Sequence, residues 1–164
     1  MIKHLGWLYT VEHIRDGRVL SVERVHNLAP LEAREYLLSV GANAGSQITT
    51  WYCGIFEGNY TPIDSNTMAN FPGLATECVA YDEASRPEWV EAAPSAGNIT
   101  NSASKAVFTI NASKTIYGAF LSSSAVKSGV AGKLLSTARF ATAKVMDAGE
   151  ILRVTGTIQS VSTS

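Results

Sequence analysis

The chain has 164 residues, enough for one domain, or one domain with a small appendage, whose core needs no disulfide or metal staple. Lys+Arg is 13 and Asp+Glu is 14, a net charge of −1, so there is no basic excess to release counterions from a nucleic acid, and a nucleic-acid binder is not expected. Only 16% of residues are charged, while Ala, Ser and Thr supply 52 (21, 17 and 14), so the expected surface is one of small and hydroxyl side chains.

In chain order, the first signal is alternation. Trp7, Tyr9, Val11 and His13 share one face of a strand, and Leu8, Thr10, Glu12 and Ile14 share the other. Asp16-Gly17 then separates this run from a second apolar run, Val19 to Val25. Gly accepts the positive φ of a type I′ turn, so residues 5–15 and 18–27 read as an antiparallel hairpin. Residues 1–27 are taken as an N-terminal β-hairpin arm, and 28–164 as the main domain. A two-stranded hairpin is marginal alone in water. The arm therefore needs a partner, either a neighbouring subunit or this chain's own sandwich.

One helix is predicted over 30–41. Pro30 suits the first helical position, where its missing N–H costs nothing. Gly41 suits the left-handed residue that ends a helix. Ala33, Leu37 and Val40 form the apolar stripe, with Leu38 beside it.

From residue 46 the pattern is β. Ile48 to Phe56 is nearly continuously apolar from Trp51, which predicts a central strand buried on both faces. Residues 57–74 read as a long polar loop with two prolines. Further strands are expected at 78–81, 88–91, 105–110, 115–121, 134–140 and 151–158, with turns at 82–87, 111–114 and 145–150. A Ser/Gly loop is expected over 122–132. Ala106, Phe108 and Ile110 fall on one face; the last strand has a mixed pattern. The fold class is mainly β: an antiparallel β-sandwich or jelly roll with one short N-terminal helix and the hairpin.

Little in the chain points to catalysis. The segment Gly41 to Gly45 lacks the third glycine, preceding strand and lysine of a phosphate loop. GxSxG and HExxH patterns are absent. His4, His13 and His26 all sit in the hairpin; His13 and His26 are placed to face each other, but a metal needs further converging ligands. Cys53 and Cys78 have no metal spacing and read as reduced and buried, with a bridge left open. Glu77, Asp82, Glu83, Glu88 and Glu91 surround Arg86. Paired carboxylates can serve glycoside hydrolysis, but a solvated acidic loop held by an Arg86 ion pair is the simpler reading. Trp51, Tyr52, Phe56, Tyr60, Trp89, Tyr117 and Phe120 can line a sugar site or fill a core. The Asn59, Asn98 and Asn111 sequons are chance matches in a chain this rich in Ser and Thr. The Met1–Trp7 opening lacks the apolar run of a signal peptide. The uncharged stretch Thr115–Val126 is too short to span a membrane.

Several stretches carry a resemblance. They are Asn27-Leu-Ala-Pro with Glu35, Thr50 to Pro62 (TWYCGIFEGNYTP), Ala75-Thr-Glu-Cys and Tyr81 to Pro87 (YDEASRP). Asn101 to Ile110, Thr115 to Ser124 and Asp147 to Val154 complete the set. Over about residues 25–160 the chain resembles small virion structural proteins of tailed bacteriophages, among them capsid decoration (cement) proteins. The resemblance implies a non-enzymatic protein of the virion, assembled in the host cytoplasm. Its implied partners are the major capsid protein and copies of itself, as a homo-oligomer on a lattice. It brings no catalytic, cofactor-binding or metal-binding residues. A tail or tail-fibre protein with a carbohydrate-binding sandwich is the alternative. An Ala/Ser/Thr-rich surface suits assembly, because small hydroxyls cost far less than charges to bury, and many weak copies bind through avidity.

Overall fold

The computed structural model describes the backbone of residues 2–163 and the side chains of 6–159. Two antiparallel sheets pack face to face as a β-sandwich. β1 (Ile2–Arg15) and β2 (Arg18–His26) form the expected hairpin, closed by Asp16 and Gly17 at φ 51° and 73°. Both positive angles fit a type I′ turn. The first sheet runs β2-β1-β8-β4, where β8 is Ile151–Thr163 and β4 is Asn98–Thr100. β5 (Ala106–Thr109) also pairs with β8. The second sheet runs β3-β6-β7: Tyr52–Phe56, Lys114–Ser122 and Leu134–Met146.

The hairpin is not a separate arm. β1 is hydrogen-bonded to β8 from Ile2↔Thr163 to Ile14↔Ile151. Its inward face, Trp7, Tyr9 and Val11, enters the same core as Ile55, Ala119 and Leu135 of the other sheet. Period-two alternation placed that face correctly. The register with β2 shifts between His13 and Ile14, where β2 carries the extra residue Leu20, and both His13 and Ile14 are buried. The division at residue 27 therefore cuts through one sandwich, with the completion of the chain's own sheet as the outcome. His13 stands opposite Ser21 and His26 opposite Leu8, so the two histidines do not face each other. The side chain of His4 lies outside the described residues.

β3 is buried, but it is not central. It ends the path of its sheet, pairing only with β6 among the named strands. Its outer edge is closed by irregular backbone: Cys53 N–H donates to Pro87 O (2.8 Å) and Cys78 N–H to Ile55 O (2.9 Å). Glu77, just before the segment expected as a strand at 78–81, and Glu88 of the segment 88–91 supply this cover through isolated bridges, Phe56↔Glu77 and Tyr52↔Glu88. Too few consecutive residues pair there to make a ladder. The 57–74 loop is also more than a loop. It holds α2 (Phe71–Leu74), and Met68 and Phe71 are fully buried in a second core with Phe56, Phe120 and Leu134.

α1 spans Leu31–Ala42, with Pro30 just before it and Gly41 still helical. The left-handed residue is Ala44, at φ 53°. The helix buries only Ala33 fully, and Leu38 is 68% exposed. Its anchor is polar: Glu32 Oε2 accepts the backbone N–H of Met68 (2.9 Å) and of Leu134 (2.8 Å).

Two glycines carry the β3–β6 contact. Gly54 pairs with Phe120, and Gly118 pairs with Phe56. Each ring lies over the glycine opposite, where a Cβ would come within 2.2 Å of it. At Gly118 that Cβ would also sit 2.2 Å from the Ala138 carbonyl, which cannot move without parting β6 from β7. Gly118→Ala is expected to cost about 1–3 kcal/mol, as overpacking of a filled core does. Chemical denaturation checks it; an unchanged midpoint would show that β6 and β7 separate freely here.

Candidate functional site

Glu23 joins the two sheets at their facing edges. β7 carries extra residues between the pairs Ile116↔Lys144 and Gly118↔Arg139, which frees backbone N–H groups. The Glu23 carboxylate accepts from Ala141 N (2.5 Å) and from the buried Lys144 ammonium (2.6 Å). Burial pushes this carboxyl up, but Lys144 and the backbone donors outweigh it and hold it below the ordinary value. A lowered folded pKa means that the contribution is full at neutral pH. It is lost as pH falls through the ordinary carboxyl range to the depressed folded value. Glu23→Gln is expected to cost about 1–3 kcal/mol at pH 7, by leaving Lys144 unpaired. Denaturation midpoints across pH 3–7 should fall less steeply with acid in the variant than in the parent chain, and parallel curves would disprove the link.

The acidic segment does not form the solvated loop expected of it. Arg86 is 0% exposed and Glu77 8%. Arg86 Nε donates to Glu77 Oε1 (2.8 Å) and Nη2 to Oε2 (2.6 Å). Nη1 reaches Ser122 Oγ (3.2 Å) and Ser124 O (2.9 Å), and Nη2 also reaches Gly129 O (3.1 Å). These contacts engage all five guanidinium N–H groups, so the charge is buried but fully bonded. Glu77 also accepts from Ser128 N (2.9 Å). The ion pair thus pins the loop between β6 and β7, whose Val126 and Val130 point to solvent at 64% and 55% exposure. The other acids are engaged separately. Glu83 accepts from Thr109 N and Oγ1, Asp82 accepts from Asn111, and Glu88 and Glu91 are exposed.

At the β7–β8 turn, Glu150 holds His13 Nε2 (2.6 Å) and the Arg15 guanidinium. This carboxylate is committed to structure at the end of the sandwich. Cys53 and Cys78 are buried and free. Burial pushes the Cys53 thiol up, and Cys78 to about 11, so both stay protonated and unreactive at neutral pH. Among the described residues no group of three His, Cys, Asp or Glu side chains is placed to hold a metal. No helix there is long and apolar enough to cross a membrane.

The aromatic residues divide between the two cores. Phe56 and Phe120 fill the smaller one with Phe71, edge to face at 5.6 and 5.3 Å. The three tryptophans, Trp7, Trp51 and Trp89, meet around one cavity of about 360 Å³. They come from β1, from the segment before β3 and from the segment that follows Pro87. Trp89 Nε1 donates to Gly156 O (3.1 Å), and Tyr36 of α1 packs edge to face on Trp51 at 5.5 Å. The tryptophans are only 3–7% exposed, too little for the open stacking platform of a sugar site. No sequence spacing links positions 7, 51 and 89; only the tertiary fold brings them together, with Trp89 N–H donating to Trp51 O (2.8 Å).

No protein-family model, curated protein or solved structure matches the chain.

Proposed function

We propose that the chain is a non-enzymatic structural protein of a tailed-bacteriophage particle, of the capsid decoration type. It binds the head shell through the major capsid protein and through copies of itself. The sequence resemblance over residues 25–160 supports this reading, and one structural observation carries it. β2 is the outer strand of its sheet, and it leaves Val19, Leu20 and Val22 at 50–58% exposure. An exposed apolar edge strand is a liability for a solitary chain and an asset for one that is covered by a neighbour. The sparse charge of the chain lowers the desolvation cost of that cover. Electron microscopy of particles carrying the chain is the test. On this reading it sits at regular lattice positions on the head shell in many copies. Density in the tail overturns the decoration role, and absence from particles overturns the structural one.

A further inference from the structure

The tryptophan-lined cavity is not used by the proposed assembly role. Its volume, about 360 Å³, lies in the range of small-ligand pockets. Its wall is aromatic and aliphatic, with Leu37 and Val40 of α1 on one side and Ile99 and Ile158 of the first sheet on the other. The pocket opens to solvent, with Gln47, Thr49 and Glu91 among its lining, and an apolar guest gains by taking the apolar wall out of water. Glu91 is the one charged side chain in the lining, and it is exposed. A cationic head there gains from the carboxylate, whereas an anionic head is repelled. We propose that this cavity binds a small amphiphile with an apolar body and a cationic head, the body between the tryptophans and the head at Glu91.

Gly41 gives a clean way to close it. This residue lines the cavity, is helical, and a Cβ added there meets nothing within 4 Å. Gly41 is exposed at the rim, so Gly41→Leu adds a side chain at the mouth of the cavity without strain, and leucine is the better helix former. Because every tryptophan of the chain lines the cavity, intrinsic fluorescence reports on it directly. The experiment titrates the full chain with octylamine, octanol and octanoate, reading tryptophan emission and heat of binding. A saturable change is expected, tightest for octylamine and weakest for octanoate. Gly41→Leu should keep the melting temperature and weaken all three at least tenfold. Glu91→Gln should weaken octylamine about fivefold, the scale of an exposed ion pair, and leave octanol unchanged. No saturable response to octylamine overturns the proposal, as does equal binding by Gly41→Leu. Octanoate binding as tightly as octylamine overturns the choice of a cationic head.

Discussion

A chain lacking residues 1–26 is expected to be unfolded. The deletion removes Trp7, Tyr9, Val11 and Ile14, each at most 5% exposed. Fully burying one such side chain contributes about 1.5–3 kcal/mol. Four of them match the whole 5–15 kcal/mol by which a domain is stable. The loss also strips β8 of its partner over thirteen registered residues, from Ile2↔Thr163 to Ile14↔Ile151. Near-ultraviolet circular dichroism of the truncated chain should be flat, and amide exchange should be fast throughout. A truncated chain that keeps a cooperative melt within a few degrees of the parent would show that the hairpin is only an appendage.

Arg86→Met is expected to cost about 3–5 kcal/mol, the scale of breaking a buried ion pair from one side. The loss does not measure the attraction alone. The Glu77 carboxylate would stay behind, 8% exposed, with Ser128 N as its remaining donor in place of three. The carbonyl of Gly129 would lose its donor too, and that of Ser124 would keep the Ser122 hydroxyl (3.2 Å). Removing the second charge as well, in Arg86→Met with Glu77→Leu, should recover part of the loss, because no uncompensated ion then remains. Urea denaturation of the three chains measures the cycle. A single-variant loss below about 1 kcal/mol would mean that water enters and replaces the guanidinium.

These two sites mark how far the residues alone lead. The Asp16-Gly17 turn and the inward row Trp7, Tyr9, Val11 were legible because both are local: a turn needs two residues and alternation needs one strand. Ala106, Phe108 and Ile110 were legible for the same reason, and all three are buried. The arm reading of residues 1–27 failed because nothing in a strand's own sequence names the partner of its far edge. The central placement of β3 failed similarly: its outer edge is covered by backbone that pairs too briefly to carry a period. The matched pairs Gly54–Phe120 and Gly118–Phe56 look like ordinary strand residues until the register is known. Arg86 among five acids reads as a solvated pair, since sequence does not show that Ser122, Ser124 and Gly129 converge on it. Of the candidate cavity, the tryptophans were visible as residues but not as neighbours.

The pairing of β1 with β8 also sets the order of events at the ribosome. Val11 meets Val154, on the order of 140 residues further along, so this sheet has a high contact order and is expected to fold slowly. At 5–20 residues per second, roughly 7–30 s separate the synthesis of β1 from that of β8. Throughout that time β1 has only β2 beside it, and its other edge is an open template with Trp7, Tyr9 and Val11 uncovered. β6 and β7 are near in sequence and can pair well before β8 emerges. The nascent chain is thus most prone to aggregate through its earliest strand, and a chaperone that shields residues 2–15 until 151–163 emerge should raise the yield of folded protein more than one acting on any later segment.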